Sequence, residues 1–283
     1  MKKYLSLVKF SHTIFALPFA FIGLFLAFSH GNININFEKL LLVLLCMVTA
    51  RNSAMAFNRI IDSKFDKQNS RTKNREIPSG KISVKSAIIF TIINSILFIT
   101  ATYFINQLCF YLSFITLFIL LGYSYTKRFS FLCHIFLGLS LGLAPIGAYI
   151  AVSEQFNLIP VIISLAVMFW SSGFDIIYSL QDLSFDKNKK LHSIPSKFGK
   201  NKARIIALVF HLLTITLFVI IGMLSNFNYL YWVGSIIFAF LILRQHYIIR
   251  FNNLIKVNIA FFSLNGVASV VFAIFFVSDL IIL

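Results

Sequence analysis

The sequence has little charge, and very little of one sign. Charged residues make up 12% of its 283 positions, whereas they make up roughly a quarter of an average soluble domain. Only nine residues are acidic, against 25 lysines and arginines. Together with 59% hydrophobic residues and a mean hydropathy of +0.87, this composition excludes an ordinary soluble domain and predicts an integral membrane protein.

Cysteine is also scarce, and its placement argues against a disulfide or a thiolate metal site. Cys46, Cys109 and Cys133 stand singly in apolar segments without CxxC spacing, so we expect small, buried, unreactive side chains. The six histidines are dispersed along the chain and form no cluster that would favour a soft metal. The residue pattern therefore favours oxygen ligands over softer donors for any bound metal.

Apolar runs long enough to cross a bilayer recur along the whole sequence. A helix needs about 17 to 25 residues to cross roughly 30 Å of hydrocarbon. The first run, Thr13 to Phe28, is long for a secretory signal and has no small-residue cleavage site after it, so it is interpreted as a span. We predict an all-α integral membrane protein, residues 1–283 forming a single domain, with nine spans near 11–29, 39–61, 84–104, 108–123, 132–152, 158–181, 203–223, 228–243 and 258–281.

Lysine and arginine gather in alternate loops between these spans, and the opposite loops hold only Lys39. The basic groups are Lys2 to Lys9, seven residues between Lys64 and Lys85, Lys127 and Arg128, Lys187 to Arg204, and Arg244, Arg250 and Lys256. Because positive loops face the cytoplasm, we predict a multi-pass protein of the cell inner membrane with its N-terminus inside and its C-terminus on the opposite side. This placement also explains the net charge of +16 without nucleic-acid binding.

Five of the nine acidic residues lie at the cytoplasmic ends of two apolar helices. We define the first acidic stripe as Asn58, Asp62 and Asp66, and the second acidic stripe as Asp175, Tyr178, Asp182 and Asp186. A carboxylate in or at the rim of a bilayer is costly and usually functional. Structural ion pairing alone does not account for such clustering.

Helical periodicity predicts that each stripe occupies one helix face, since steps of three or four residues stay on the same side. Arg51 falls on the first stripe, deeper in the membrane, whereas Arg59 points roughly 100° away. The acidic pairs recur 120 residues apart. This repeat suggests two four-helix halves plus a ninth helix around a central cavity, with the pairs facing each other.

Paired carboxylates favour Mg²⁺, which proteins usually hold with one or two carboxylates plus substrate phosphates. The basic residues near the stripes would neutralise an anionic headgroup such as diphosphate, although positive-inside topology alone also places basic residues there. The candidate diphosphate-binding residues are Arg71, Lys73, Arg75, Tyr123, Ser124, Lys127, Arg128 and Lys190. Most of the 34 phenylalanines are expected to face lipid or neighbouring helices, and a minority would line a tunnel for an apolar chain.

Two long motifs resemble the signatures of the UbiA superfamily of intramembrane prenyltransferases. The first runs from Asn58 through Asp62 and Asp66 to the segment 69–81, and the second runs from Asp175 through Asp186 to the segment 192–199. The resemblance extends over nearly the whole chain, starting at His12. Arg59 stands where much of the superfamily has Asp, and together with Gln181 and the sequence of 192–195 it resembles the 4-hydroxybenzoate polyprenyltransferase branch, including the form of the futalosine route to menaquinone.

The resemblance implies transfer of a polyprenyl group from its diphosphate to the ring of an aromatic acid, in ubiquinone or menaquinone biosynthesis. It implies that Asn58, Asp62, Asp66, Asp182 and Asp186 hold Mg²⁺. Asp175 or Asp182 would orient or deprotonate the phenol. Arg51 and Tyr178 would bind the aromatic acid, with a salt bridge to a nearby Asp as the alternative for Arg51. The implied partners are a polyprenyl diphosphate, the aromatic acid and membrane lipid, with neither nucleic acid nor an obligate protein partner.

Three alternatives stay open at this point. Haem, naphthoate or homogentisate could be the acceptor within the same superfamily. A cation-coupled transporter would also place carboxylates on an ion path, but both stripes lie at one membrane face. Phosphatidyl transfer from a nucleotide lipid also uses Asp residues and Mg²⁺, but the expected glycine spacing between the acidic residues is absent.

Overall fold

The computed structural model describes residues 2–9, 13, 15–31, 36–249, 257 and 259–282, and within them the chain is helical without any strand. The helices are α1 (Lys2–Leu7), α2 (Leu17–Gly31), α3 (Phe37–Asp66), α4 (Val84–Ile105), α5 (Gln107–Thr126), α6 (Cys133–Ser153), α7 (Leu158–Ser179), a 3₁₀ turn (Leu180–Asp182), α8 (Leu183–Asn188), α9 (Ile194–Leu224), α10 (Tyr229–Ile249), a π-helical turn (Ile259–Leu264) and α11 (Asn265–Ile282). Eight helices of this described part are long and apolar enough to span a membrane, and α2 is a shorter apolar helix. The prediction of an all-α membrane protein with nine spans is confirmed.

The helix ends differ from the predicted spans where polar residues extend an apolar run. α3 continues to Asp66, so the whole first acidic stripe is helical. α9 begins at Ile194 rather than near 203, because Ser193 and Ser196 form a capping box there, and its backbone is kinked at Gly199, which has φ of 79°. The starts of the first and ninth predicted spans, with His12, Arg250 and Lys256, lie outside the described residues.

The second acidic stripe is not one continuous α-helix, and this part of the prediction was wrong. α7 ends at Ser179, and the next three residues form a 3₁₀ turn before α8 begins at Leu183. A 3₁₀ turn has about 3.0 residues per turn instead of 3.6. The four-residue steps from Tyr178 to Asp182 and Asp186 therefore cross a change of helix type, which uniform α-helical spacing did not predict.

One compact unit contains α1, α3, α4 and α5. α3 packs against α4 through polar pairs inside the apolar bundle: Asn52 donates to Asn94 at 3.0 Å, and Ser95 donates to Ser53 at 3.2 Å. Such interhelical hydrogen bonds are typical of membrane helices. α1 lies against the same unit through Leu7, which is fully buried in an apolar cluster.

The other compact unit contains α2 and α6 to α11. The first span, α2, therefore packs with the later spans, and small residues explain why. A Cβ atom on Gly23 would lie 2.0 Å from the Pro145 carbonyl oxygen of α6, so only glycine permits this approach. Trp170 of α7 donates to Asn265 of α11 at 2.9 Å, which joins two further helices of the unit.

Candidate functional site

The first acidic stripe begins with a hydrogen bond between residues one turn apart. The Asn58 Nδ2 group donates to Asp62 Oδ2 at 3.1 Å, as expected for side chains on one helix face. The amide is thereby oriented with its nitrogen toward the carboxylate. Both side chains are half-buried.

Asp66 ends the stripe as a buried carboxylate with a basic partner. Nη1 of Arg75 lies 2.8 Å from both Asp66 carboxylate oxygens. The intervening loop is ordered by Asn69, whose side chain accepts from the Arg71 amide at 3.0 Å and whose carbonyl accepts from the Lys73 amide at 2.9 Å. Arg71 and Lys73 are exposed on this turn, so three predicted diphosphate-binding residues follow Asp66 on one ordered loop.

Arg51 and Arg59 are buried to different degrees in the same unit. Arg51 donates Nη2 to the Lys9 carbonyl at 2.7 Å, and its Nη1 is buried without a partner in the described structure. The alternative salt bridge to an Asp is not among its contacts there. Arg59 is only 7% exposed and lies within electrostatic range of Arg75, Asp66 and Asp62. Although it is off the stripe in sequence, its charge acts on the acidic residues.

The end of α5 supplies the predicted hydroxyl groups of the same unit. Tyr123 lies within electrostatic range of the guanidinium groups of Arg51 and Arg59. Ser124 is buried. Tyr123 is therefore associated with both buried arginines, and Ser124 lies inside the bundle rather than on an exposed loop.

The second acidic stripe ends on a fully buried carboxylate that is paired with a half-buried lysine. Asp186 is 0% exposed. Its carboxylate lies 2.8 Å from Lys127 Nζ and accepts a hydrogen bond from Ser193 Oγ at 3.1 Å. Burial alone would lower the pKa of Lys127, but the charge of Asp186 and its hydrogen bond raise that pKa above its ordinary value. Lys127 therefore keeps its positive charge.

Backbone hydrogen bonds hold the end of the basic loop that follows Asp186. The Leu191 amide donates to the Asp186 carbonyl at 2.9 Å, and the His192 amide donates to the Lys127 carbonyl at 2.8 Å. Lys190 is exposed and has a left-handed backbone with φ of 54°. The loop thus returns to the residues that form the ion pair.

Three other predicted site residues, Asp182, Arg128 and Tyr178, differ in how far they are buried. Asp182 is buried at the end of the 3₁₀ turn. Arg128, which follows Lys127, is half-buried. Tyr178 is half-buried and packs against the apolar cluster that includes Ile177 and Ala207.

Asp175 has a partner that the sequence did not indicate. His134 Nδ1 lies 2.7 Å from Asp175 Oδ2, and the Ile194 amide donates to His134 Nε2 at 3.3 Å. The dispersed histidines gave no sequence signal, because these two residues are 41 positions apart on separate helices.

The donor chemistry of the two stripes fits Mg²⁺. The stripes offer carboxylate and amide oxygens, which this hard cation prefers. Within the described residues, no three His, Cys, Asp or Glu side chains form a group that could hold an ion by themselves. Mg²⁺ binding and the assignment of its individual ligands stay predictions.

The sequence matches a known protein family and is similar to named members of it. A model described as the UbiA prenyltransferase family matches residues 16–274. A 4-hydroxybenzoate octaprenyltransferase of Francisella tularensis subsp. novicida (strain U112) is 30% identical over 222 residues, which cover 78% of this chain and 77% of that protein.

Two solved structures resemble the fold. A UbiA homologue from Aeropyrum pernix K1 is 27% identical, with a TM-score of 0.81, and the match covers 96% of this chain and 97% of that one. A UbiA homologue from Archaeoglobus fulgidus bound to DMAPP and Mg²⁺ is 21% identical, with a TM-score of 0.77 and coverage of 99% and 100%. At that identity the second likeness concerns the fold alone.

Proposed function

Since the chain belongs to the UbiA prenyltransferase family, we propose that it transfers a polyprenyl group from polyprenyl diphosphate to the ring of 4-hydroxybenzoate, releasing diphosphate, as a step of quinone biosynthesis. The observation that carries the proposal is that both acidic stripes end on a buried carboxylate paired with a basic side chain, Asp66 with Arg75 and Asp186 with Lys127. The acceptor rests on the 30% identical relative named for 4-hydroxybenzoate.

The carboxylates of the stripes suit the donor diphosphate through a divalent cation. Asn58, Asp62, Asp66, Asp182 and Asp186 are the residues that would hold Mg²⁺. When bound, Mg²⁺ would neutralise charge on the diphosphate oxygens and so assist departure of the leaving group.

The basic residues predicted to bind diphosphate would absorb its developing charge. Arg71, Lys73 and Arg75 extend from the loop after Asp66, while Lys127, Arg128 and Lys190 belong to the segments around Asp186. When the allylic carbon–oxygen bond breaks, its electron pair leaves with the diphosphate. Cationic side chains already in place stabilise that charge without reorganisation, and the hydroxyl groups of Tyr123 and Ser124 add hydrogen-bond donors.

The acceptor is oriented by its carboxylate and its hydroxyl group. The buried Nη1 of Arg51 is a donor for the aromatic carboxylate, which a planar guanidinium binds well, and Tyr178 contacts the ring. Asp175 or Asp182 accepts the hydroxyl proton. The ring carbon beside the phenolic oxygen then bonds to the allylic cation, and loss of the ring proton restores aromaticity.

The basic loops support the predicted orientation in the cell inner membrane. A cytoplasmic N-terminus places both stripes at the cytoplasmic face. Polyprenyl diphosphate would then present its headgroup to the stripes from the inner leaflet, with its chain in the apolar part of the bilayer.

The test is incubation of the purified protein with Mg²⁺, a polyprenyl diphosphate and 4-hydroxybenzoate, followed by mass analysis of the product. D62A and D182A should each abolish product while the protein remains folded and inserted. E38A is the matched control, because Glu38 is an exposed acid at the other end of α3. Normal turnover in either Asp variant contradicts the assignment of the stripes.

The same assay separates the alternatives. Product with haem, naphthoate or homogentisate, and none with 4-hydroxybenzoate, would reassign the acceptor within the family. Cation uptake into proteoliposomes without any covalent product would favour a transporter instead. Omission of Mg²⁺ tests the cation requirement, and full activity in chelator contradicts it.

A further inference from the structure

His134 is a buried histidine whose ring is engaged on both sides. It lies in α6 and is 2% exposed. Its Nδ1 contacts Asp175 of α7 at 2.7 Å, and its Nε2 accepts from the Ile194 amide at the start of α9 at 3.3 Å. Three helices of one unit therefore meet at this imidazole.

The amide of Ile194 determines which ring nitrogen carries the proton. An N–H donor needs a lone pair on its acceptor, so Nε2 is unprotonated and the proton of the neutral ring is on Nδ1. The Nδ1–H group then donates to Asp175 Oδ2. The Ser193 cap fixes the first turn of α9, which supplies that amide, and Ser172 Oγ donates to the His134 carbonyl at 3.1 Å.

Asp175 is held through one oxygen and presents the other. Its side chain is 21% exposed, and Oδ1 makes no hydrogen bond to any residue that the structure describes. Asp182, the other candidate base, lies within electrostatic range of Lys127 and Asp186 instead. Asp182 thus belongs with the charges around Lys127, whereas Asp175 is held by the Nδ1–H group of His134.

We propose that His134 is a positioning residue that orients Asp175, and that Asp175 is the residue that accepts the phenol proton. This inference rests on the proposed function and selects between its two candidate bases. The proton moves from the phenolic oxygen to Asp175 Oδ1, and the O–H electron pair stays on the ring oxygen, where it activates the neighbouring ring carbon. Over the cycle the ring exchanges one hydrogen, released as a proton, for the prenyl group.

Two substitutions of His134 separate a positioning role from simple packing. The amide nitrogen of Asn is attached at Cγ, as Nδ1 is, so H134N can still donate to Asp175. In H134Q the amide is attached one carbon further from the backbone, near the position of Nε2. This substitution therefore removes the donor to Asp175. We expect H134Q to lower kcat for 4-hydroxybenzoate about tenfold or more, as loss of a hydrogen bond to a charged group predicts. KM for the prenyl diphosphate should stay within about twofold, and H134N should recover most of the lost kcat.

D175N provides the second comparison if H134Q does not accumulate in the membrane. Its amide oxygen can still accept the hydrogen bond from His134, but the amide cannot take up a proton. The kcat of D175N should therefore fall at least as far as that of H134Q. Activity of D175N near that of the wild type overturns the inference. Equal losses in H134Q and H134N also overturn it, since they indicate packing alone.

A readout independent of turnover is the tautomer of His134. Nitrogen-15 NMR of histidine-labelled protein in lipid nanodiscs should contain a signal of the Nδ1–H form that disappears in H134N. An Nε2–H form at this position would overturn the inference whatever the activity. If the wild type makes no prenylated 4-hydroxybenzoate, the proposed function fails, whereas an active wild type with unaffected H134Q defeats the role of His134 alone.

Discussion

Arg51 brings a guanidinium nitrogen into the bundle interior without an acceptor in the described residues. A buried donor without a partner is costly, and a carboxylate ligand would remove that cost. We expect R51K to raise KM for 4-hydroxybenzoate about tenfold, because lysine replaces a planar two-point donor with a single point charge. KM for the prenyl diphosphate should change little.

Steady-state kinetics with each substrate varied in turn measures this prediction. R244K is the control, since Arg244 is an exposed arginine of α10 outside both stripes. A change confined to the KM of the prenyl diphosphate would assign Arg51 to the donor instead. An unchanged KM for the acid would remove Arg51 from the acceptor site.

Glu76 connects the N-terminal helix to the basic loop by a hydrogen bond from Ser6 Oγ. Burial alone would raise the pKa of Glu76, but the Ser6 hydrogen bond and nearby cations lower it below its ordinary value. A lowered folded-state pKa stabilises the protein above the unfolded pKa, and this contribution disappears as pH falls through the folded value.

E76Q should therefore lower the melting temperature at pH 7, and the difference from the wild type should shrink below about pH 4. S6A should act in the same direction, because it removes the donor. Thermal unfolding in detergent at both pH values measures the effect. A difference that is the same at both pH values contradicts an origin in the Glu76 charge.

Single-residue patterns placed the residues of the first acidic stripe on one helix face, but they did not predict how the carboxylates are held. The steps of four residues identified Asn58, Asp62 and Asp66, since helical periodicity is local. The Arg75 contact with Asp66 forms through a loop of turns, and the His134 contact with Asp175 joins separate helices. Neither contact has a sequence period, so only the folded chain reveals them.

At the scale of helices, α6 lies so close to α7 that glycine is required. A Cβ atom on Gly142 would lie 2.7 Å from the Ser164 carbonyl oxygen, whereas Gly147 of the same helix has open space. We expect G142A to destabilise the protein by about 1–3 kcal/mol, the usual cost of overpacking. G147A should be neutral or slightly stabilising, because alanine favours helix by about 1 kcal/mol over glycine.

Thermal unfolding of both variants in the same detergent tests this pair, and prenyl transfer serves as a second readout. The comparison is internal, since both changes add one methyl group to one helix. Equal melting temperatures for G142A and G147A would contradict the close approach of α6 and α7.

Hydropathy predicted all nine apolar helices but not their ends. It detects the part of a helix inside hydrocarbon, so the start of α9 before the kink at Gly199 was not predicted, although Ser193 and Ser196 are a recognisable capping signal. Hydropathy also did not predict the break in the α-helix after Ser179, because the 3₁₀ turn has the same composition as the α-helix around it. Helix ends depend on backbone hydrogen bonds, which composition does not record.

For the whole molecule, the basic loops predict a definite topology. Cys46, Cys109 and Cys133 are all buried, so single cysteines introduced at exposed positions can be labelled without interference. In intact cells, a membrane-impermeant thiol reagent should label Q155C and leave S70C unlabelled until the membrane is permeabilised. The reverse pattern would contradict a cytoplasmic N-terminus.

The two ion pairs have a consequence for the order of ligand binding. Each pair joins a buried acid to a partly exposed base, Asp66 to Arg75 and Asp186 to Lys127. A divalent ion bound alone would separate the base from its counter-charge, and an anion bound alone would leave the buried acid without its base. The protein should therefore discriminate against either ligand by itself and accept both cooperatively, so that calorimetric titration of diphosphate reveals mutual enhancement only when magnesium is present.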